Sequence, residues 1–342
     1  MATLKDVAKL AQVSTTTVSR ILNGDPNLIV PDKTRDRVLR ASLQMQYQVK
    51  ARKREIGRRK LRRVGMIAFG NEQVERDDPY FLSIRRGVEQ EFHKLGFDQS
   101  VVVQWSDTIS SYNTFLDVDG VIVVGNNYEA ADFFLGKSQK VVFVDRCPDI
   151  SSFSSVVIDF ASATYKVLDH LLSLGHKRIG YIGGIQNNGL EEDLRLLAMR
   201  EHLGSKQMYF DEHIHVSQTW SVMGGYEMAK LAMASGNLAD AYFIASDPMA
   251  IGAIRAWTES GIRVPHDVAI VGFDDIELAA YVTPPLTTVN IPTEIMGQMA
   301  ANLLVDGIGD FDIPVALTVP TSLIIRESCG SRLTLNTRSD SP

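Results

Sequence analysis

Two sets of residues in this chain carry chemistry, and they suit different partners. The first is Ser14-Thr15-Thr16-Thr17-Val18-Ser19-Arg20-Ile21-Leu22. Helical spacing turns Val18, Ile21 and Leu22 to one side and leaves Thr15, Thr16 and Arg20 on the other. A guanidinium makes paired hydrogen bonds to a guanine edge and a threonine methyl packs on a thymine methyl, so such a helix edge fits the major groove of double-stranded DNA. The second set recurs at the ends of apolar runs. Asp145-Arg146 follows the run 141–144, Ser246-Asp247 follows 241–245, and Asp274-Asp275 follows 268–273. Carboxylates accept pairs of hydroxyl hydrogen bonds and arginine donates several, which suits a sugar. Trp220 and Tyr80 offer flat faces for the apolar side of a pyranose.

The elements around the first set read as a small helical unit. Leu4, Val7, Ala8 and Ala11 follow the spacing of a short amphipathic helix, and Gln12-Val13 breaks it. Ser14 suits the N-cap of a second helix, Asn23-Gly24 its end, and Pro31 the first turn of a third helix near 31–45 with Val38, Leu39 and Leu43 inward. Two helices across a tight turn predict a helix-turn-helix, its second helix entering the major groove.

From Val64 the pattern changes. Buried-strand runs at 64–68, 100–103, 120–124, 141–144, 178–182, 241–244 and 268–271 alternate with helical stretches near 81–95, 161–174, 224–234 and 249–260. The expected fold class is therefore α/β: an all-α helix-turn-helix domain followed by two lobes of parallel sheet covered by helices. Ligands of such sheets bind outside the strands' carboxyl ends, where the second set of residues falls.

Charge follows the same division. Residues 1–63 of the 342 carry 16 Lys/Arg against 5 Asp/Glu, whereas the remainder carries 19 against 36. A basic N-terminal piece on an acidic body predicts that only the former approaches a polyanion. Within it, residues 50–63 hold nine basic residues and one acidic, a run that phosphate would help to order. No apolar run approaches the roughly 20 residues of a membrane span. The start of the chain does not read as a secretory signal, and Cys147 and Cys329 read as free thiols of a cytoplasmic protein. Gly183-Gly184 lacks the spacing of a nucleotide fingerprint and reads as a strand-to-loop turn, and His213-Ile214-His215 as an exposed strand edge. No catalytic constellation, metal site or cofactor is expected.

The run Leu4-Lys5-Asp6-Val7-Ala8, with Ala11-Gln12-Val13-Ser14-Thr15-Thr16-Thr17-Val18-Ser19-Arg20-Ile21-Leu22-Asn23, resembles the signature of the LacI/GalR repressor family. The resemblance extends over about 330 residues. It implies that Thr15, Thr16 and Arg20 read bases while Ser14, Thr17 and Ser19 lie nearer phosphates. It also implies domains at 1–47 (helix-turn-helix), 48–63 (basic hinge), 64–329 (sugar binding and dimerisation) and 330–342 (polar tail). The body would resemble periplasmic sugar-binding proteins, the chain crossing between lobes near 160, 290 and 320. The family's sugar-contacting motifs map to Tyr80, Asp145, Arg146, Arg195, Trp220, Ser246 and Asp274.

The hinge departs from the family pattern. A Pro-Asn helix start is missing after Tyr47, and Arg54 stands where a minor-groove leucine is expected. Arg52, Arg54, Ile56, Arg58 and Arg59 are the candidate minor-groove residues; a leucine-like wedge by Ile56 or Leu61, arginine insertion and a solvated linker all remain open. The implied partners are a palindromic operator, a second copy of the chain and a small sugar, with the branch it most resembles pointing to a galactoside. The rival readings are a transport binding protein, which would need no DNA-binding unit, and a sugar-processing enzyme, which would turn its ligand over.

Overall fold

The structure is a computed structural model, and it describes residues 4–22, 30–45, 61, 63–69, 78–97, 101–104, 115, 117–185, 192–306 and 313–331. The chain divides into two compact units, 1–60 and 61–342. In the first, α1 (Leu4–Ala11), α2 (Thr15–Leu22) and α3 (Asp32–Gln44) enclose a small core of Val7, Ala8, Ala11, Val18, Ile21, Val38 and Ala41. The side chains of Leu22, Leu39 and Leu43 lie outside the described set. The turn between α1 and α2 is tight because Gln12 takes a left-handed conformation, φ 52°. That conformation lets the Val13 N–H return to the Ala8 carbonyl at 3.1 Å, closing α1.

The second unit holds two six-stranded sheets. Its elements in chain order are β1 (Val64–Ala68), α4 (Pro79–Lys94), β2 (Val101–Gln104), β3 (Gly120–Val124), α5 (Tyr128–Phe134), β4 (Lys140–Asp145), β5 (Ser154–Ile158), α6 (Phe160–Ser173), β6 (Ile179–Gly184), α7 (Leu194–Gly204), β7 (Ile214–Ser217), α8 (Val222–Ala234), β8 (Ala241–Ile244), α9 (Asp247–Glu259), β9 (Ala269–Asp274), β10 (Thr287–Asn290), α10 (Thr293–Asp306), β11 (Ala316–Val319) and β12 (Ser322–Ile324). The first sheet has the order β11-β5-β4-β3-β1-β2 and the second β12-β10-β9-β8-β6-β7. All pairings are parallel except β10 with β12.

Each lobe thus repeats one winding. The first strand sits inside the second, and the remainder step outward on its other side. Both switch points, between β1 and β3 and between β6 and β8, open at the strands' carboxyl ends. The chain changes lobe between β5 and α6, between β10 and α10, and between β11 and β12.

The central strands are apolar throughout because both faces are covered. In β4, Val142 and Val144 pack with Ile84, Val88, Met296 and Ala300, while Val141 and Phe143 pack with Phe115, Ala130 and Phe134 on the other face. Each such side chain contributes about 1.5–3 kcal/mol when fully buried. Close helix pairs hold each lobe. A Cβ at Gly87 or Gly297 would strike the backbone of the facing helix in the α4–α10 pair, as would one at Gly225 or Gly252 in the α8–α9 pair.

Two expectations need correction. His213 is not exposed: it is 2% accessible and packs near Phe210, although β7 is an edge strand as expected. Gly183 and Gly184 are the last residues of β6, not a turn beyond it. Their missing side chains make room for the rings of Tyr181 and Trp220. Cys147 and Cys329 are both free thiols. No described helix is long and apolar enough to cross a membrane.

Candidate functional site

In the N-terminal unit, Ser14 starts α2 as its sequence suggests. The Ser14 Oγ accepts the Thr17 N–H at 3.0 Å and lies 2.8 Å from the Thr17 Oγ1. That bond satisfies one of the donors a helix start leaves open. With Val18 and Ile21 buried, Thr15, Thr16 and Arg20 stand exposed within an arc of about 140° at 3.6 residues per turn. Ser14 is exposed on the same end, and Thr17 and Ser19 are half-buried. The five candidate hinge residues, Arg52, Arg54, Ile56, Arg58 and Arg59, lie outside the described residues.

In the second unit, the candidate ligand residues Tyr80, Asp145, Arg195, Trp220, Ser246 and Asp274 gather at the strands' carboxyl ends, linked by hydrogen bonds, ring contacts or charge. Asp78 caps α4, its Oδ1 accepting the Tyr80 N–H at 3.0 Å. Tyr80 is thereby fixed at the helix start, and its hydroxyl donates to the Asp145 Oδ1 at 2.7 Å. Asp145 ends β4 and Asp274 ends β9, the fourth strand of each lobe's winding, and both take a left-handed backbone, φ 79° and 114°. Such a conformation is costly for a residue other than glycine and marks places where the surroundings dictate the geometry. The Asp274 carboxylate accepts no hydrogen bond from the described residues, though it is only 8% accessible.

Arg195 sits at the start of α7, gripped by the helix's own cap. Asp193 accepts its N–H and Nε at 2.8 Å through one carboxylate oxygen and its Nη2 at 2.7 Å through the other. The remaining terminal nitrogen, Nη1, donates to the Ala245 carbonyl at 2.8 Å. The rings of Trp220, Phe273 and Phe160 surround the guanidinium at 4.9, 5.0 and 5.4 Å. Burial pulls the pKa of Arg195 down, but the Asp193 charge and hydrogen bonds outweigh it and raise the pKa above the ordinary value.

Trp220 is half-buried, and its indole N–H donates to the Ile185 carbonyl at 2.8 Å. Ser246 is 2% accessible at the start of α9, and its Oγ has no hydrogen-bond partner among the described residues. Arg146 is half-buried beside Asp145, and its charge favours the ionised form of that carboxyl. The Arg146 charge acts on Asp145, and that of Arg195 acts on Asp78, Asp145 and Asp274.

The carboxyls feel their burial. Asp78 is pushed up to about 6, and Asp145 is raised for the same reason against the pull of the Tyr80 hydroxyl. Asp274 is raised further, first by burial and then by the charges of Asp78 and Asp247. Asp247, fully buried, is pushed up to about 8 by burial while Thr288 and the Ile276 N–H hold its two oxygens. Sequence reasoning missed Asp193 as the clamp of Arg195, and Phe160 and Phe273 as its aromatic walls. The Asp193-Leu194-Arg195 spacing at a helix start was the available signal for the clamp. An open recess of about 600 Å³ between α6 and α7, lined by Ile158, Phe160, Leu194 and Leu197 among others, contains none of the seven candidate ligand residues.

Comparison with known proteins accords with both halves. The profile of "Bacterial regulatory proteins, lacI family" matches residues 3–49, and that of "Periplasmic binding protein-like domain" matches residues 168–329. The chain is 40% identical to the HTH-type transcriptional repressor MelR of Bacillus subtilis (strain 168), over 96% of this chain and 98% of that protein. Among solved structures, the transcriptional regulator CelR–cellobiose complex shares 32% identity and a TM-score of 0.68, covering 96% of this chain and all of the other. The lac repressor dimer bound to operator and the anti-inducer ONPF shares 25% identity and a TM-score of 0.69, covering 96% and 99%. Near-complete coverage of a repressor at this identity, with a helix-turn-helix unit ahead of a two-lobed body, settles the assignment: the chain belongs to the lacI family of bacterial regulatory proteins and is a DNA-binding transcriptional regulator.

Proposed function

We propose that the protein is a homodimeric repressor of a sugar-utilisation operon, released from a palindromic operator by a small sugar bound between its lobes. Thr15, Thr16 and Arg20 read bases and Ser14, Thr17 and Ser19 steady the helix on phosphates. The basic hinge 48–63 follows the DNA between that unit and the sensor at 64–329. Tyr80, Asp145, Arg146, Arg195, Trp220, Ser246 and Asp274 form the sugar site, and a galactoside is the favoured ligand. The body binds and does not turn over its ligand.

The observation that carries this reading is the Asp274 carboxyl, 8% accessible and accepting no hydrogen bond from the described residues, in the electrostatic reach of Asp145, Tyr80 and the ring-walled Arg195. A carboxyl whose hydrogen-bonding capacity the described residues leave unused is open to a ligand, and sugar hydroxyls can fill it. The cellobiose bound by CelR and the operator and ONPF bound by the lac repressor dimer support the same division of labour. Sugar binding shifts operator affinity only through its unequal affinity for two lobe arrangements. A thermal-shift screen of the full chain against mono- and disaccharides tests the sugar site, because ligand bound to the folded form raises the melting temperature. A screen in which galactosides leave the transition unmoved while another sugar raises it would reassign the ligand.

A further inference from the structure

The two aspartates that follow one another at the end of β9 are held differently, and the difference gives a residue 51 positions further along the chain a part in the site. Asp274 and Asp275 both take a left-handed backbone, φ 114° and 57°. Two such residues in succession persist only where their surroundings over-determine them. Those surroundings act on Asp275 and Ile276. The Arg326 Nη2 donates to the Asp275 Oδ1 at 2.6 Å, and the Asn290 amide donates to the Asp275 Oδ2 at 3.0 Å. The Asp275 N–H donates to the Thr288 Oγ1 at 3.4 Å and the Ile276 N–H to the Asp247 Oδ2 at 3.0 Å. Thr288 in turn donates to the other Asp247 oxygen at 2.6 Å. Asp275 thus has a partner on each carboxylate oxygen, whereas the Asp274 carboxyl accepts no hydrogen bond from the described residues.

Arg326 is itself anchored. It lies just past β12, after the chain's crossing from β11. Its N–H donates to the Thr287 Oγ1 at 2.9 Å and its Nη1 to the Leu286 carbonyl at 2.7 Å. One guanidinium therefore bridges the start of β10 and the loop after β9. The paired side chains are 20% and 15% exposed, so water screens their attraction less than that of a surface pair. Resting on the sugar reading above, we infer that Arg326 is a positioning residue of the sugar site: through Asp275 it fixes the loop that aims the Asp274 carboxyl at a sugar hydroxyl. Asp275 is a support of the site and not a ligand. Loss of the Arg326 contact lets the left-handed pair relax and turns Asp274 from its bound position, so part of the sugar's affinity goes into restoring that position. Lysine is a poor substitute, because an ammonium lacks the planar fork that meets a carbonyl and a carboxylate together.

The test is calorimetric titration of the full chain with galactose, lactose and cellobiose, repeated on Arg326→Gln, Asp275→Ala and the double variant. The sugar that the unaltered chain binds most tightly should bind each single variant at least tenfold more weakly. The double variant should bind it about as weakly as the weaker single, because both substitutions break the same contact. Operator binding without sugar and a cooperative thermal melt check that each variant is folded. If Arg326→Gln is not, Arg326→Lys is read in its place and should lose at least threefold. Unchanged sugar affinity in the Arg326 variant, or losses that multiply in the double variant, would overturn the inference and leave the sugar reading standing. Failure of every sugar to bind the unaltered chain would overturn that reading, and the inference with it.

Discussion

On α2 the groups assigned to recognition stand in solvent: Thr15, Thr16 and Arg20 are exposed. In the cleft, Tyr80, Asp145, Arg195, Ser246 and Asp274 are all less than 10% accessible. The two surfaces therefore divide their duties differently. A side chain exposed on α2 contributes little to folding, because solvent rather than the core surrounds it. A cleft side chain must satisfy burial first and ligand second, so its partners are other protein groups, as Asp193 is for Arg195. Substitutions on α2 should therefore separate recognition from stability, and substitutions in the cleft should mix them.

The largest expected effect follows from breaking the clamp. Arg195→Ala leaves Asp193 charged and buried without its partner, which should destabilise the second unit by about 3–5 kcal/mol in urea unfolding. A loss below about 1 kcal/mol would mean that the pair is less buried than its geometry indicates.

Next comes a pH effect. The folded-state pKa of Asp78, about 6, lies above its unfolded value of 3.8. Between these values the folded chain keeps a proton the unfolded chain has lost, so stability falls as pH rises from about 4 to 6 and is level beyond. Asp78→Asn keeps the cap acceptor and removes the titration. Relative to this variant the unaltered chain should lose on the order of 2–3 kcal/mol across that window, read from denaturation midpoints at each pH. A pH-independent difference would contradict the shift.

Arg20→Ala sharpens the other side of the comparison. It should weaken operator binding by about 1–3 kcal/mol and relax preference at one base pair, with the melting temperature unchanged. Equal losses on operator and random DNA would remove Arg20 from base reading. The smallest effect is expected for Ser14→Ala, about 1 kcal/mol of local stability. Faster amide exchange at Thr17 would report it, and unchanged exchange would show that the cap contributes nothing.

The same contrast explains what the sequence disclosed. The helical unit was legible because Leu4, Val7, Ala8 and Ala11 fall at helical spacing, as do Val18 and Ile21 on the next helix, and what is exposed on α2 follows from what is buried. The central strands were legible as unbroken apolar runs. β5, β10, β11 and β12 were not, because short strands with residues such as Ser155, Thr288, Thr318 and Ser322 lack such runs. Gly184 was misread because its reason is a contact with the Trp220 ring more than thirty residues away, and Gly183 because its side-chain space is taken by the ring of Tyr181. Asp145 and Asp274 could be picked out as strand-end carboxylates, yet their left-handed backbones and the lack of a donor to Asp274 among the described residues depend on tertiary structure. Asp193 was hidden for the opposite reason: it is local, but its partnership with Arg195 matters only once both are buried.

Operator affinity measured by fluorescence anisotropy, with and without the tightest-binding sugar, tests the central claim most directly when the full chain is compared with Asp274→Ala. The account predicts that sugar weakens operator binding of the unaltered chain by about 5–150-fold, a coupling of about 1–3 kcal/mol. The variant should hold the operator equally well without sugar and show no response to it. A variant with an unchanged sugar dose-response would contradict the account.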